Sequence, residues 1–281
     1  MPSFYSVLFT KQVEPRAGIA FVKASSERNA VRIGPVWCSD HTVSRVIEEL
    51  KLLLFDTSIR PRSINFLNAH VYNLAACDEI LRRALNESRI VTADGISMVW
   101  ASRLLDKPVP ERCNMTEVFR AFLQNTGIPI NRCVLIGGAQ EEADAAAMAI
   151  QRQSSHCRIV HAVSGYEDIG KYEELLSSSL DPDIALIGMG SPRSETAIRR
   201  LASVRPGVIL WHIGGGTVQF YAGTRREAPS IIRDTGFQWL YRLLHEPRRM
   251  WKRYLVGNPV FVASILMLVL RRRRKGKRAQ I

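Results

Sequence analysis

The chain has 281 residues, 46% of them hydrophobic and 23% charged, with a formal net charge of +13. That balance excludes a disordered scaffold and provides a core for one large domain or two small ones. The five cysteines, Cys38, Cys77, Cys113, Cys133 and Cys157, contain no C-x-x-C pair, which argues against a disulfide framework and a thiolate zinc site.

Residues 1–10 lack a charged start leading into a long apolar stretch, so no secretory signal is read and a cytoplasmic location is expected. Residues 1–35 have mixed polarity without a sustained period and read as an N-terminal extension. From Thr42 onward, Val43, Val46, Ile47, Leu50, Leu53 and Leu54 follow helical spacing, with Asp40 or Thr42 available as a cap. Short β-branched or apolar runs then occur at 63–67, 89–92, 132–136, 157–163, 184–187 and 208–213, with helical stretches such as 141–153 and 171–179 between them. Strands alternating with helices imply βαβ units, so residues 36–236 are expected to form a Rossmann-like, mainly parallel sheet sandwiched by helices.

In such sheets ligands bind beyond the carboxyl ends of the strands. Asp94 follows the 89–92 run and precedes Gly95, where a carboxylate serves as a general base; the alternative is a helix cap. Three other runs end in Gly137-Gly138, in Gly188-Met189-Gly190-Ser191-Pro192, and in Gly214-Gly215-Gly216. Small residues there free backbone N–H groups for phosphate oxygens, and three such turns at one edge point to a nucleotide cleft. None matches G-x-G-x-x-G, which weakens a dehydrogenase reading. Asp181-Pro182-Asp183 resembles a metal-holding acidic pair but lies before a strand, at the end opposite the cleft, where it shapes a turn. The six histidines show no paired metal spacing, and His212 and His245 read as satisfied structural residues.

Residues 237–281 form a basic tail. From Arg242 to Arg278 there are twelve Lys or Arg and one acid, Glu246, a surplus of eleven charges. The order is basic, apolar, basic, and the apolar stretch 255–270 is sixteen residues long, below the roughly 20 that cross a bilayer as a helix. The tail is therefore expected to lie on an anionic membrane surface, with Trp251 and Tyr254 in the headgroup layer. A long apolar run exposed to water argues against a nucleic-acid-binding arm.

Taken together, these motifs resemble the WecG/TagA/CpsF glycosyltransferases (glycosyltransferase family 26) over about residues 36 to 262. The resemblance rests on Ala93-Asp94-Gly95-Ile96 with Glu111-Arg112, on Gly188-Met189-Gly190-Ser191-Pro192 with Glu195, and on the glycine turn leading to Tyr221-Ala222-Gly223 and Ala228-Pro229. It rests further on Trp239-Leu240-Tyr241-Arg242-Leu243, Glu246-Pro247-Arg248-Arg249, Arg253-Tyr254-Leu255 and Gly257-Asn258-Pro259. It implies a metal-independent, inverting transferase with no cofactor, which moves a sugar from a nucleotide donor, UDP favoured over GDP, to a polyprenyl-diphosphate-linked glycan at the cytoplasmic membrane face. It also implies self-association as a homo-oligomer.

By the same match, Asp94 is the base that deprotonates the acceptor hydroxyl, Asn68 carries over from the family pattern, and Arg112 faces the donor diphosphate or the acceptor phosphates. Gly137, Gly138, Gly188, Gly190, Ser191, Pro192, Ser194, Glu195, Gly215 and Gly216 face the nucleotide-sugar, while Arg242, Arg248, Arg249 and Arg253 meet acceptor phosphates near the membrane. This chain departs from the family at Phe66-Leu67, where Thr-Pro is usual, and at Ser194, at Val218-Gln219 and at Glu227. The departures resemble the exopolysaccharide branch and leave the donor open among glucose, mannose and a uronic sugar. A non-catalytic, membrane-tethered nucleotide-sugar-binding scaffold is the competing expectation.

Overall fold

The computed structural model describes residues 30–278 except 106 and 179. The expected extension therefore falls largely outside the described residues. Its last part, read as aperiodic, is instead ordered as β1 (Ala30–Ile33), paired antiparallel with β2 (Val36–Ser39). Gly34, with φ 59°, takes the left-handed turn between them.

After the hairpin comes α1 (Val43–Phe55), capped by Thr42, whose Oγ1 accepts the Arg45 N–H at 3.1 Å. Then follow β3 (Ser63–Leu67), α2 (Ala69–Cys77), α3 (Glu79–Asn86), β4 (Ile90–Ala93), α4 (Ile96–Leu104) and α5 (Met115–Gln124). The second half runs β5 (Asn131–Gly137), α6 (Gln140–Gln153), β6 (Cys157–Val163), α7 (Ile169–Ser177), β7 (Ile184–Gly188), α8 (Arg193–Val204), β8 (Ile209–His212) and α9 (Gly215–Tyr221). Six strands form one parallel sheet in the order β4-β3-β8-β7-β5-β6.

The period of two along each strand divides the core between two layers. Val134 and Ile136 of β5 pack with Tyr172, Leu176, Ile198 and Leu201, whereas Cys133 and Leu135 face the layer holding Phe119, Phe122 and Ile150. Both faces are covered, which is why β3 and β7 are buried at every position. The chain moves outward from β3 to β4, crosses to β5 and β6, and returns through β7 to place β8 beside β3. Every carboxyl end lies on one edge, and the β3–β8 seam is the switch point where such sheets open a crevice. Asp183 sits at the opposite edge, where its Oδ2 accepts the Arg132 N–H at 2.7 Å.

The C-terminal part is helical: α10 (Ser230–Asp234), α11 (Gln238–His245), α12 (Pro247–Trp251), a π-helical turn (Lys252–Val256) and α13 (Gly257–Arg278). Pro259 has no N–H for a carbonyl four residues back, and that position falls within the π turn, which absorbs the mismatch. Together the segment 247–274 makes 28 helical residues, long and apolar enough by length and composition to cross a membrane. The basic flanks continue the helix beyond the apolar stretch because Lys and Arg are good helix formers.

The helix also has two apolar faces. Phe261 and Ile265 are buried against α2, where the Phe261 ring meets Tyr72 edge-on at 5.0 Å and the Tyr72 hydroxyl is 2.9 Å from Ser264 Oγ. Asn73 Nδ2 donates to Gly257 O at 2.7 Å, and Arg272 Nη1 to Leu105 O at 2.7 Å. On the other side Leu255, Val262, Leu266 and Leu270 form an exposed stripe with Trp251. Tyr254, expected in the headgroup layer, is buried against Trp239 with ring centroids 6.1 Å apart. It falls on the same side of the helix as Phe261, so it belongs to the docked face.

Candidate active site

Asp94 lies just beyond β4 at the carboxyl edge. It does not cap a helix: Gly95, at φ 127°, is the N-cap of α4 and no side chain caps that helix. The Asp94 carboxylate instead receives two amides, Asn68 Nδ2 on Oδ2 at 3.2 Å and Asn114 Nδ2 on Oδ1 at 2.8 Å.

Both asparagines are N-caps. Asn68 Oδ1 accepts the Val71 N–H at 3.0 Å to start α2, and Asn114 Oδ1 accepts the Thr116 N–H at 3.1 Å to start α5. Capping uses the carbonyl end of each amide, so the NH₂ end has to point out of the helix, and both aim at the same carboxylate. The Asn114 loop is fixed to the strand by Cys113 N–H donating to Ala93 O at 2.9 Å. Each carboxylate oxygen keeps a further lone pair for an incoming proton.

Arg112, two residues before Asn114, is bonded to Glu117 at 2.6 Å. Over the same edge, the C-terminal helices bring arginines. Burial is the main influence lowering the pKa of half-buried Arg253; Arg242 and Arg249 push the same way, while Tyr254 and Asp94 oppose them. Asp94 therefore lies within the field of an arginine from the tail. The charge of Arg253 is also felt by His70, which burial and that charge push down to about 4. Arg249 is exposed and pairs with Glu246 at 3.1 Å, and Arg248 faces solvent.

The glycine turns differ in what they hold. A β-carbon at Gly137 would run into the Gly188 backbone, and one at Gly188 into Val218, so these two glycines permit close packing beneath the edge. At Gly138 the neighbour is the Glu142 carboxylate, whose Oε2 accepts the Ala139 N–H at 3.1 Å. Gly190, at φ 83°, meets nothing within 4 Å and opens onto the edge. Gly215 approaches the Gly188 carbonyl, and Gly216 is covered by the Arg225 guanidinium with Arg242 beyond it.

The loop from β7 to α8 is built on two hydroxyls. Ser194 Oγ accepts the Met189 N–H at 3.1 Å, and the Ser191 hydroxyl donates to Glu195 Oε1 at 2.5 Å, with Pro192 following a cis bond. Glu195 is wholly buried, and its Oε1 stands 3.6 Å from Nδ1 of equally buried His212. Burial pushes the Glu195 carboxyl up to about 7 and the His212 imidazole down to about 3. Neither ring nitrogen of His212 has a hydrogen-bond partner, contrary to the expectation of a satisfied histidine. Its ring is packed on Phe66 with centroids 4.3 Å apart.

The model of the Glycosyl transferase WecG/TagA/CpsF family matches residues 31–277. The chain belongs to this family. It is 25% identical over 240 residues to proteins of Staphylococcus aureus strains MW2 and NCTC 8325 named N-acetylglucosaminyldiphosphoundecaprenol N-acetyl-β-D-mannosaminyltransferase, covering 85% of this chain and 91% of each relative. The protein of strain MRSA252 with the same name aligns over 242 residues at the same identity. The chain is accordingly a glycosyltransferase, and the carboxyl edge of its sheet is the candidate place of transfer.

Among the expected residues, the fold brings together Asp94, Asn68, Arg242 and Arg253, with Gly190, Gly215 and Gly216 along the same edge. Arg248 faces away, and Gly137, Gly188 and Ser194 support the edge from below. Sequence reasoning passed over Asn114 and Arg225. Asn114 carries a readable signal, a strong capping residue immediately before an apolar helical run; Arg225, within Thr224-Arg225-Arg226, reads as ordinary surface charge.

A raised carboxyl pKa means that the folded state binds the proton more tightly than the unfolded one. Glu195 therefore contributes stability that is complete below its unfolded value of 4.5 and is lost as pH rises through about 7. Glu195→Gln, which keeps an acceptor for Ser191, should melt higher than wild type at pH 8, with the two proteins converging near pH 4. The expected gap at pH 8 is about 3 kcal/mol; denaturation of both proteins across this range checks it, and a pH-independent gap contradicts it.

Proposed function

We propose that this chain transfers a sugar, with inversion, from a nucleotide-sugar donor to a polyprenyl-diphosphate-linked glycan at the cytoplasmic membrane surface, with Asp94 as general base. The observation that carries the reading is the Asp94 carboxylate held by two amides at the open edge of the sheet, within the field of Arg253. The acceptor hydroxyl oxygen forms its bond to the anomeric carbon as the bond from that carbon to the donor diphosphate breaks. The hydroxyl proton passes to Asp94, and the electron pair leaves with the nucleoside diphosphate. Arginines at the edge meet the charge that develops on the leaving group, a role for preorganised cations and donors. No metal or other cofactor takes part in this scheme.

The acceptor class rests on the family and on the relatives, whose name specifies a diphosphoundecaprenol-linked acceptor. Their transferred sugar, N-acetylmannosamine, is not carried over at this identity. Phe66 packs in the β3–β8 seam against His212, Glu227 ties Arg120 and Arg233 together, and Ser194 Oγ braces the loop after β7 from below. These departures favour a different donor, a UDP-hexose or uronic sugar used in exopolysaccharide assembly.

The exposed stripe of α13 supports membrane attachment. Its docked face is already occupied by α2, while Leu255, Val262, Leu266 and Leu270 face outward beside the exposed Arg271, Arg273 and Arg274, so the helix lies along the surface with its apolar side toward lipid.

Two experiments test these readings. Nucleoside-diphosphate release, measured with a panel of UDP- and GDP-sugars and a polyprenyl-diphosphate-linked glycan, should depend on acceptor. It should fall about 10²- to 10⁴-fold in Asp94→Asn, while the fold and nucleotide binding are kept. Acceptor-independent binding without release would instead favour the scaffold role. Replacing Val262, Leu266 and Leu270 by Ser leaves the docked face intact and should abolish flotation with anionic vesicles at high salt; unchanged flotation contradicts the placement of α13.

A further inference from the structure

The Arg225 guanidinium is held in an unusual setting. Its side chain is only 13% exposed. It lies directly over Gly216, so close that a β-carbon there would collide with Nη1, and Arg242 Nη2 approaches the same glycine. It pairs with Glu246 at 3.5 Å, and Glu246 is shared with Arg249 at 3.1 Å. Burial, followed by repulsion from Arg242, pushes Arg225 down to about 10, and Arg249 adds to this. Three arginines thus converge with one carboxylate among them, an arrangement that is repulsive until an anion enters.

The arginines border an open surface cleft that is also lined by Gly216, Thr116, Tyr241 and Glu227. Glu227, the acid in its wall, is already neutralised by Arg120 at 2.7 Å and Arg233 at 2.6 Å. An arginine fork matches the oxygens of a phosphate in pairs, which a lysine cannot do.

We propose that Arg225, paired with Arg242 over Gly216, binds the diphosphate of the nucleotide donor and stabilises it as the leaving group. This assignment rests on the transferase reading above. Position along the sheet edge selects the donor over the lipid acceptor. Asp94 follows β4 and Gly216 follows β8, two strands further on, which is about 10 Å at the usual strand spacing. An in-line displacement places the base and the leaving diphosphate on opposite sides of the anomeric carbon, a span of that order. Arg253 is the arginine on the base side, with Asp94 and His70 in its field, and it faces the acceptor. Arg225 comes from the loop after α9, not from the C-terminal helices, so the nucleotide itself bridges the sheet and the appendage.

The test is calorimetric titration of UDP and GDP into the full-length protein in detergent, in parallel with a short-chain polyprenyl diphosphate, using wild type, Arg225→Gln, Arg225→Lys and Arg253→Gln. Loss of a desolvated charged partner should weaken binding of the preferred nucleotide at least about tenfold in Arg225→Gln. Arg225→Lys should recover part of that loss. Binding of the polyprenyl diphosphate should change less than about twofold in Arg225→Gln and weaken in Arg253→Gln. Melting of the ligand-free variants separates loss of contact from loss of fold, and a folded Arg225→Gln that binds nucleotide as wild type does overturns the assignment while leaving the transferase reading intact. The reverse pattern, with nucleotide unaffected and lipid diphosphate lost, moves Arg225 to the acceptor and also overturns it. Wild-type protein that binds neither nucleotide defeats the transferase reading, and this assignment with it.

Discussion

Two asparagine side chains, each shared between a helix end and a carboxylate, fix the geometry on which the rest of the site depends. The carbonyl ends of Asn68 and Asn114 satisfy backbone N–H groups that open α2 and α5, and the NH₂ ends hold the two oxygens of Asp94. A helix start left without its cap costs about 1 kcal/mol, so each amide orientation is enforced by folding and not by the carboxylate alone. α2 begins at the carboxyl end of β3, and α5 begins at the same edge because Cys113 N–H ties its preceding loop to Ala93 O at the end of β4. The placement of this carboxylate is thus a consequence of topology combined with capping chemistry.

The charges follow the same logic on a larger scale. The sheet presents glycine-lined backbone, open at Gly190 and under the guanidinium of Arg225 at Gly216. The C-terminal helices add Arg242 and Arg253 from above. Positive charge concentrated at one edge, partly out of water, is strained in isolation and suited to a substrate that carries phosphates at both reacting ends. Arg242 comes from α11, whereas Arg253 sits in the π turn of the helix that continues into α13, whose inner face is buried on α2 and whose outer face is apolar. On the proposed reading, attachment to lipid and the placement of Arg253 are properties of one continuous helix.

Much of this was legible in the residue pattern, for identifiable reasons. The strands of a covered parallel sheet are uninterrupted apolar runs, and the runs at 63–67 and 157–163 coincide with β3 and β6. Turns such as Gly188-Met189-Gly190 and Gly214-Gly215-Gly216 locate the functional edge because such strand ends tolerate little else. The β1–β2 hairpin escaped notice because two four-residue strands are too short to show a period. Asn114 and Arg225 act through three-dimensional convergence, Asn114 on a carboxylate twenty positions earlier and Arg225 on a glycine of the turn before α9; the pattern marks Asn114 as a helix cap but shows neither convergence. The outward and inward faces of α13 share one composition, so only packing distinguishes Tyr254 and Phe261 from Trp251 and Val262.

The central claim is that the Asn-held Asp94 carboxylate is the group that takes the acceptor proton. The most direct measurement is the turnover number for acceptor-dependent nucleoside-diphosphate release by Asn114→Ala, with nucleotide affinity measured on the same protein. The account predicts a turnover number lowered at least about tenfold, because a mispositioned base loses much of what general catalysis contributes, with nucleotide affinity unchanged. Turnover at the wild-type level in a variant that has lost the 2.8 Å bond to Asp94 would contradict it.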